Sequence, residues 1–233
     1  MAAAALAAAL APLLDADRYP LVDPAGVTFL YRGEADAVGL RCWIHGLPAR
    51  QAFERIADTD ACVRFVRERG IASIPEGETL RIVETPVFER PVIPYAAYQP
   101  PGPFDAVQEG HFYVTPVETD APADKREDQL KGHCRASRVL TALHEAYPGH
   151  HLQLMHANRS ASLARKMADS SVLAEGWALY CEQMMWEEGF YADPLVRLWQ
   201  LKDALWRAAR VIVDTGLHTG EMTFQQAVDF LVT

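Results

Sequence analysis

The sequence predicts a mainly α-helical protein with a small β component, an α+β fold, on three observations. Apolar residues recur at helical spacing through most of the second half, strand-like runs are few and short, and a proline-rich stretch, Pro86 to Pro103, forbids regular helix between two of those runs. The 233 residues are 50% apolar and 23% charged, ordinary for a folded chain and unlike a disordered one.

The elements follow in order. Met1 to Leu14 is alanine-rich and apolar and reads as a short helix ended by Asp15, Asp17 and Arg18. It lacks the basic start of a signal peptide and is too short to span a bilayer, which leaves localisation open with the cytoplasm favoured. Val27 to Tyr31 and Leu40 to Ile44, each bounded by glycines, read as strands. A helix over Ala49 to Arg69 carries Phe53, Ile56, Val63 and Val66 on one face and stops at Gly70. Leu80 to Glu84 and Phe112 to Val114 are the strands on either side of the proline-rich loop. From Val139 to Met155 an apolar, helix-like stretch encloses a strongly polar cluster.

Three helical segments complete the chain. Asp169 or Ser170 caps a helix over Val172 to Met185 that Gly189 stops. Asp193 and Pro194 supply an N-cap and a first-turn proline for the next, whose apolar stripe of Leu198, Trp199, Leu205, Trp206, Ala209 and Val213 runs up to Gly216. Asp203, Arg207, Arg210 and Asp214 form a polar stripe on it, read as solvated ion pairs or as the wall of a cleft. Thr223 and Gln226 form the capping box of a last helix.

Charge and cysteine content exclude several functions. With 22 basic and 31 acidic residues the formal charge is −9, without a basic stripe, so nucleic acid is a poor partner. Cys42, Cys62, Cys134 and Cys181 are scattered without a Cys-x-x-Cys pair, which argues against a disulfide framework or a cysteine metal site.

The polar cluster is His144-Glu145-Ala146-Tyr147-Pro148-Gly149-His150-His151. Imidazoles and a carboxylate suit Zn(II), and three protein ligands leave a fourth position for a water that a neighbouring carboxylate can deprotonate. Glu145 is the candidate base. The familiar zinc helix spaces its histidines four apart, whereas on an unbroken helix His150 would lie about 120° round from His144, and His151 about 10.5 Å along the axis. Pro148 and Gly149 can deform the helix, by a bulge or a short break, so that two residues loop out and His150 takes the i+4 place. The alternative is a helix that ends near Tyr147, with both later histidines in solvent. Glu175, 25 residues beyond His150, is the third candidate ligand because Ala174, Gly176 and Ala178 leave room around it; Glu182, two turns on, competes for the role.

Several phrases carry a family resemblance: Glu84-Thr85-Pro86, Pro91-Val92-Ile93-Pro94-Tyr95, Phe112-Tyr113-Val114, the histidine run, Glu175-Gly176-Trp177-Ala178-Leu179-Tyr180, and Asp214-Thr215-Gly216-Leu217-His218-Thr219-Gly220. From about residue 50 onward the chain resembles the bacterial family called domain of unknown function 885, grouped with the gluzincin metallopeptidases. The resemblance implies a helical gluzincin-like core in which two histidines and a glutamate hold zinc. A glycine commonly precedes the second zinc histidine in related gluzincins, so Gly149 favours His150 over His151. It also implies that a strand beside the metal helix pairs with an extended peptide, for which Phe112 to Val114 is the candidate. Family members are longer, so residues 47–233 read as part of a catalytic domain whose C-terminal piece is missing, and residues 1–46 stay poorly assigned.

The expected activity is zinc-dependent hydrolysis of peptide bonds, with metal at His144, His150 and Glu175 and Glu145 acting on water. His218, or else Tyr180, is the candidate donor to the developing oxyanion. Asp169 is a candidate acceptor for a ligand histidine's second N–H. Two further classes are a non-catalytic, metal-stabilised module that binds peptides and a polar cluster without metal.

Overall fold

The computed structural model describes residues 28–32, 41–45, 49–118 and 120–232. The expected first helix, Met1 to Leu14, lies outside them. The described chain is mainly helical with a small β part, as the sequence predicts. Strands β1 (Thr28–Arg32) and β2 (Arg41–His45) form an antiparallel pair. Helix α1 (Ala49–Glu68) follows and is ended by Gly70, whose φ of 64° is a left-handed conformation that glycine adopts freely.

A three-stranded sheet is built from β3 (Thr79–Glu84), β4 (Ala96–Gln99) and β5 (Glu109–Val114), in the order β3-β5-β4. β5 runs parallel to β3 and antiparallel to β4. Alternation turns Leu80, Ile82, Phe112 and Val114 to one face, where they are buried against α1 and the helices that follow. β4 is an element the proline-rich loop conceals: Pro94 and Pro100 bracket it, and an edge strand needs only one row of hydrogen bonds. This order also corrects the expected substrate strand. Phe112 to Val114 is the middle strand with Phe112 wholly buried, while β4 holds the outer edge.

Helices α2 (Ala123–Gly132) and α5 (Leu163–Met167) bury no residue, so they carry no apolar periodicity for a sequence reading to find. Between them come α3 (Arg135–Glu145) and α4 (His150–Asn158), and after them α6 (Ser171–Glu187), α7 (Pro194–Thr219) and α8 (Phe224–Val232). α3 is the hub, packed on α1, α6, α7 and β4 through Ala136, Leu140, Ala142 and Leu143. The expected caps form: Asp193 accepts from the Leu195 N–H at 2.9 Å, and Thr223 and Gln226 bond each other reciprocally. Ser170, rather than Asp169, caps α6 by accepting from the Leu173 N–H.

Two features of α7 differ from expectation. The helix passes through Gly216 and ends at Gly220, where φ is 75°. Gly216 is a packing glycine, since a Cβ there would lie 2.9 Å from Met222 Cβ. The apolar stripe is also split: Leu198, Leu205 and Trp206 are exposed, Trp199 packs against the core, and the fully buried positions are Val196, Gln200 and Gly216. Among the described residues no helix is long and apolar enough to cross a membrane, and Cys62, Cys134 and Cys181 are free thiols.

The break between α3 and α4 shapes everything downstream. It contains a cis Tyr147-Pro148 bond, and two backbone bonds cross it with a span of six residues: Gly149 N–H to Leu143 O at 3.0 Å and Leu152 N–H to Ala146 O at 3.3 Å. An α-helix spans four. Two residues are thus looped out, by a break rather than a bulge within one helix. A Cβ on Gly149 would run into the His144 carbonyl and stand 2.5 Å from Leu143 O, so only glycine fits. Gly149→Ala is expected to destabilise the protein by more than about 2 kcal/mol, because rigid backbone must move, and to lose metal binding with it. Thermal unfolding and metal titration check this; an unchanged melting temperature would show that the break relaxes without cost.

Candidate metal centre

His144 and Glu145 occupy the last turn of α3, and His150 and His151 open α4. The six-residue crossing brings the His144 and His150 rings to 4.8 Å between centroids at 84°. Glu175, in the second turn of α6, completes the group: one ligand atom from each of His144, His150 and Glu175 lies within 4.8 Å of the others. This is a possible His-His-Glu metal site and the only one of its kind among the described residues. Its residues are those expected from the sequence.

The three differ in freedom. His144 is 6% and His150 9% exposed, whereas the Glu175 side chain is 69% exposed with Oε2 3.8 Å from His150 Nε2. Ligand atoms around a tetrahedral ion stand about 3.4 Å apart, so Glu175 has to swing inward, and its exposure permits that. Burial, with help from His144 and Arg207 and against Glu175, lowers the His150 pKa to about 4. Its imidazole is therefore neutral near pH 7, the form with a lone pair for a cation.

Glu182 orients His144. Its Oε1 is 2.7 Å from Nδ1, and a carboxylate can only accept, so the proton sits on Nδ1 and the Nε2 lone pair is left for a metal. Arg207 reaches the same oxygen at 3.2 Å from α7. Glu182 Oε2 and Arg207 Nη1 are buried and without hydrogen-bond partners. Glu182 therefore holds His144 instead of competing with Glu175, and Arg207 of the polar stripe turns to Glu182 while Arg210 and Asp214 stay exposed. Asp169 does not take the supporting role; it is exposed in the link before α6.

Glu145 lies beside this group. Its pKa is pushed up to about 7, chiefly by burial, with His144 opposing, Glu175 adding, and the Tyr98 backbone N–H and Arg207 opposing. A residue missed from sequence, Trp177, donates its indole N–H to Pro148 O at 2.8 Å and ties α6 to the break.

The structure does not bring His218 or Tyr180 into the group. His218 sits in the last turn of α7 with Nδ1 2.8 Å from Asp214 O, and its side chain is 80% exposed. Eleven residues separate it from Arg207, about 16 Å of helix. Gly216 was read as a helix stop, and a helix that continues carries His218 away. Tyr180 lies about 140° round α6 from Glu175, 53% exposed against Trp177. His151 is also outside, its Nε2 against Glu78.

No curated protein matches the chain. A solved structure described as that of "a putative lipoprotein of unknown function from Shewanella oneidensis" is 30% identical, with a TM-score of 0.64 over 77% of this chain and 32% of that one. The present chain thus spans about a third of that protein's length. Residues 51–233 match the family described as "Bacterial protein of unknown function (DUF885)". Over most of its length, then, the chain belongs to the DUF885 family of bacterial proteins.

Proposed function

We propose that this chain carries the zinc-binding core of a gluzincin-like hydrolase of peptide bonds. The observation that carries the reading is the convergence of His144, His150 and Glu175, with the half-buried carboxylate Glu145 next to His144 in the chain. Two imidazoles and one carboxylate are the donor set of catalytic Zn(II) sites that keep a position open. The residues fit such an ion: His150 is neutral, Glu182 fixes the His144 tautomer, and Glu175 is free to close.

Zn(II) held there would supply Lewis acidity, polarising a scissile carbonyl and easing deprotonation of water. The chain's own groups do the rest. Glu145, with a pKa near neutrality, accepts the proton of the attacking water and returns it to the leaving amine. Among the described residues β4 pairs with β5 alone, and its outer edge can take an extended peptide as an added strand. Arg207 and Glu182 hold their charges against His144 and keep its ring in place. The relative's description as a lipoprotein favours a secreted or membrane-anchored setting over the cytoplasm that the N-terminal sequence favoured.

Two variants separate binding from chemistry. Glu145→Gln keeps shape and removes basicity, so about one zinc per chain should remain while cleavage of a peptide mixture, followed by mass spectrometry, falls at least ~10²-fold. Full activity in this variant would remove Glu145 as the base, and zinc binding with no cleavage by the unaltered protein would favour a peptide-binding module. Glu182→Gln should weaken zinc affinity roughly 10- to 100-fold, the usual cost of losing a ligand's supporting carboxylate, with an unchanged circular dichroism spectrum. Unchanged affinity would show that Glu182 serves packing alone.

A further inference from the structure

A second polar cluster lies deep in the protein, and the hydrolytic reading leaves it unused. Glu78, immediately before β3, is wholly buried. Tyr147, the last residue before the Pro148-Gly149 interruption, donates its hydroxyl to both carboxyl oxygens at 2.8 and 2.9 Å. His151, just beyond the interruption, places Nε2 2.5 Å from Glu78 Oε2. A carboxylate only accepts, so Nε2 carries the hydrogen between them. Both donors are wholly buried as well. One carboxylate thus bridges the two sides of the break. Burial this deep is costly for a carboxylate unless its lone pairs are satisfied, and these two side chains satisfy it.

The same bridge is part of a polar seat for α4. A helix of nine residues, with Leu152 and Met155 as its buried apolar side chains, is too short to persist on its own. Its polar contacts run to the segments that open β3 and β5. Besides His151 on Glu78, His156 Nε2 meets Ser73 O at 2.8 Å, and Asn158 donates to Gln108 Oε1 at 2.9 Å. Gln108 O in turn accepts the Thr79 N–H at 3.1 Å, which fixes the backbone next to Glu78. Gly110 of β5 leaves the space that His151 fills, since a Cβ there would stand 2.8 Å from Nδ1. Two pairs of rings meet edge to face across the break, His144 with His150 at 4.8 Å and Tyr147 with His151 at 5.0 Å. Holding the second pair therefore sets the first.

We propose that Glu78 is a positioning residue for the candidate metal centre, which clamps Tyr147 to His151 across the break and so holds His150 in register with His144. The adjacent histidines then divide the work: His150 is the candidate ligand, and His151 anchors the helix that carries it. The consequence for metal affinity rests on the reading of His144, His150 and Glu175 as a zinc site; the register of the two rings does not.

The test uses the full chain and two readouts. Tyr147→Phe removes one hydroxyl and keeps the ring, and Glu78→Gln sets an amide donor where the cluster needs an acceptor. In metal-free protein the nuclear Overhauser cross-peak between the His144 and His150 rings should weaken in both variants. Zinc affinity should fall roughly tenfold, the low end of what losing a group behind a ligand costs. Thr115→Val is the control for lost stability, because it removes a buried hydroxyl bonded to Thr85 Oγ1 at 2.9 Å. It should lower the melting temperature and leave cross-peak and affinity unchanged; an equal loss of affinity there would assign the effect to stability and overturn the proposal. Either readout unmoved in folded Tyr147→Phe would also overturn it, and this variant keeps the test decisive if Glu78→Gln does not fold. If the unaltered protein binds no zinc yet the cross-peak weakens as stated, the metal reading fails and the positioning of His150 by Glu78 stands.

Discussion

The structure turns on how closely the chain passes itself at Gly149. Two imidazoles six residues apart cannot face one ion from a continuous helix, because the 3.6-residue turn rotates the second one away. Looping out two residues restores the phase, and the bonds from Gly149 to Leu143 and from Leu152 to Ala146 show that the backbone stays paired across the loop. The cost is steric: the Gly149 Cα lies against the His144 carbonyl, where no side chain fits. Since His144 and Glu145 end one helix and His150 and His151 begin the next, this crossing sets both the candidate metal site and the cluster behind it.

Around the crossing the polar groups fall into two layers. One lies at the His-His-Glu group, where Glu182 and Arg207 hold His144 and Glu175 is exposed. The other is sealed in the core, where Glu78 gathers Tyr147 and His151 and reaches Tyr98. Buried histidines with hydrogen-bonded support and an exposed carboxylate suit a candidate site in which the scaffold stays fixed while an ion is taken up. The element that supplies this support is α3, packed on α1, α6, α7 and β4.

The grouping of His144, His150 and Glu175 was legible in the sequence because it rests on local chemistry: residue types, a Pro-Gly interruption, and a return helix of suitable length. The capped helix starts at Asp193 and Thr223 were legible for the same reason. What was lost depends on tertiary placement. Helical phase put Glu182 on the face of Glu175 but could not show that it lies one layer deeper, under His144. Sheet order is not a local property, so a conspicuous apolar strand, Phe112 to Val114, was taken for the edge that four inconspicuous residues between prolines hold. At Gly216 two roles of glycine were confused: it serves close packing against Met222, and the left-handed cap comes four residues later at Gly220, which carries His218 past the site.

X-ray absorption at the zinc edge tests the central claim most directly, because outer-shell scattering counts imidazole rings independently of activity. The account predicts about 2.0 Å nitrogen and oxygen ligands with two rings, one ring lost in His150→Ala and both kept in His151→Ala. Sulfur ligation, or a ring lost in His151→Ala but not in His150→Ala, would contradict it.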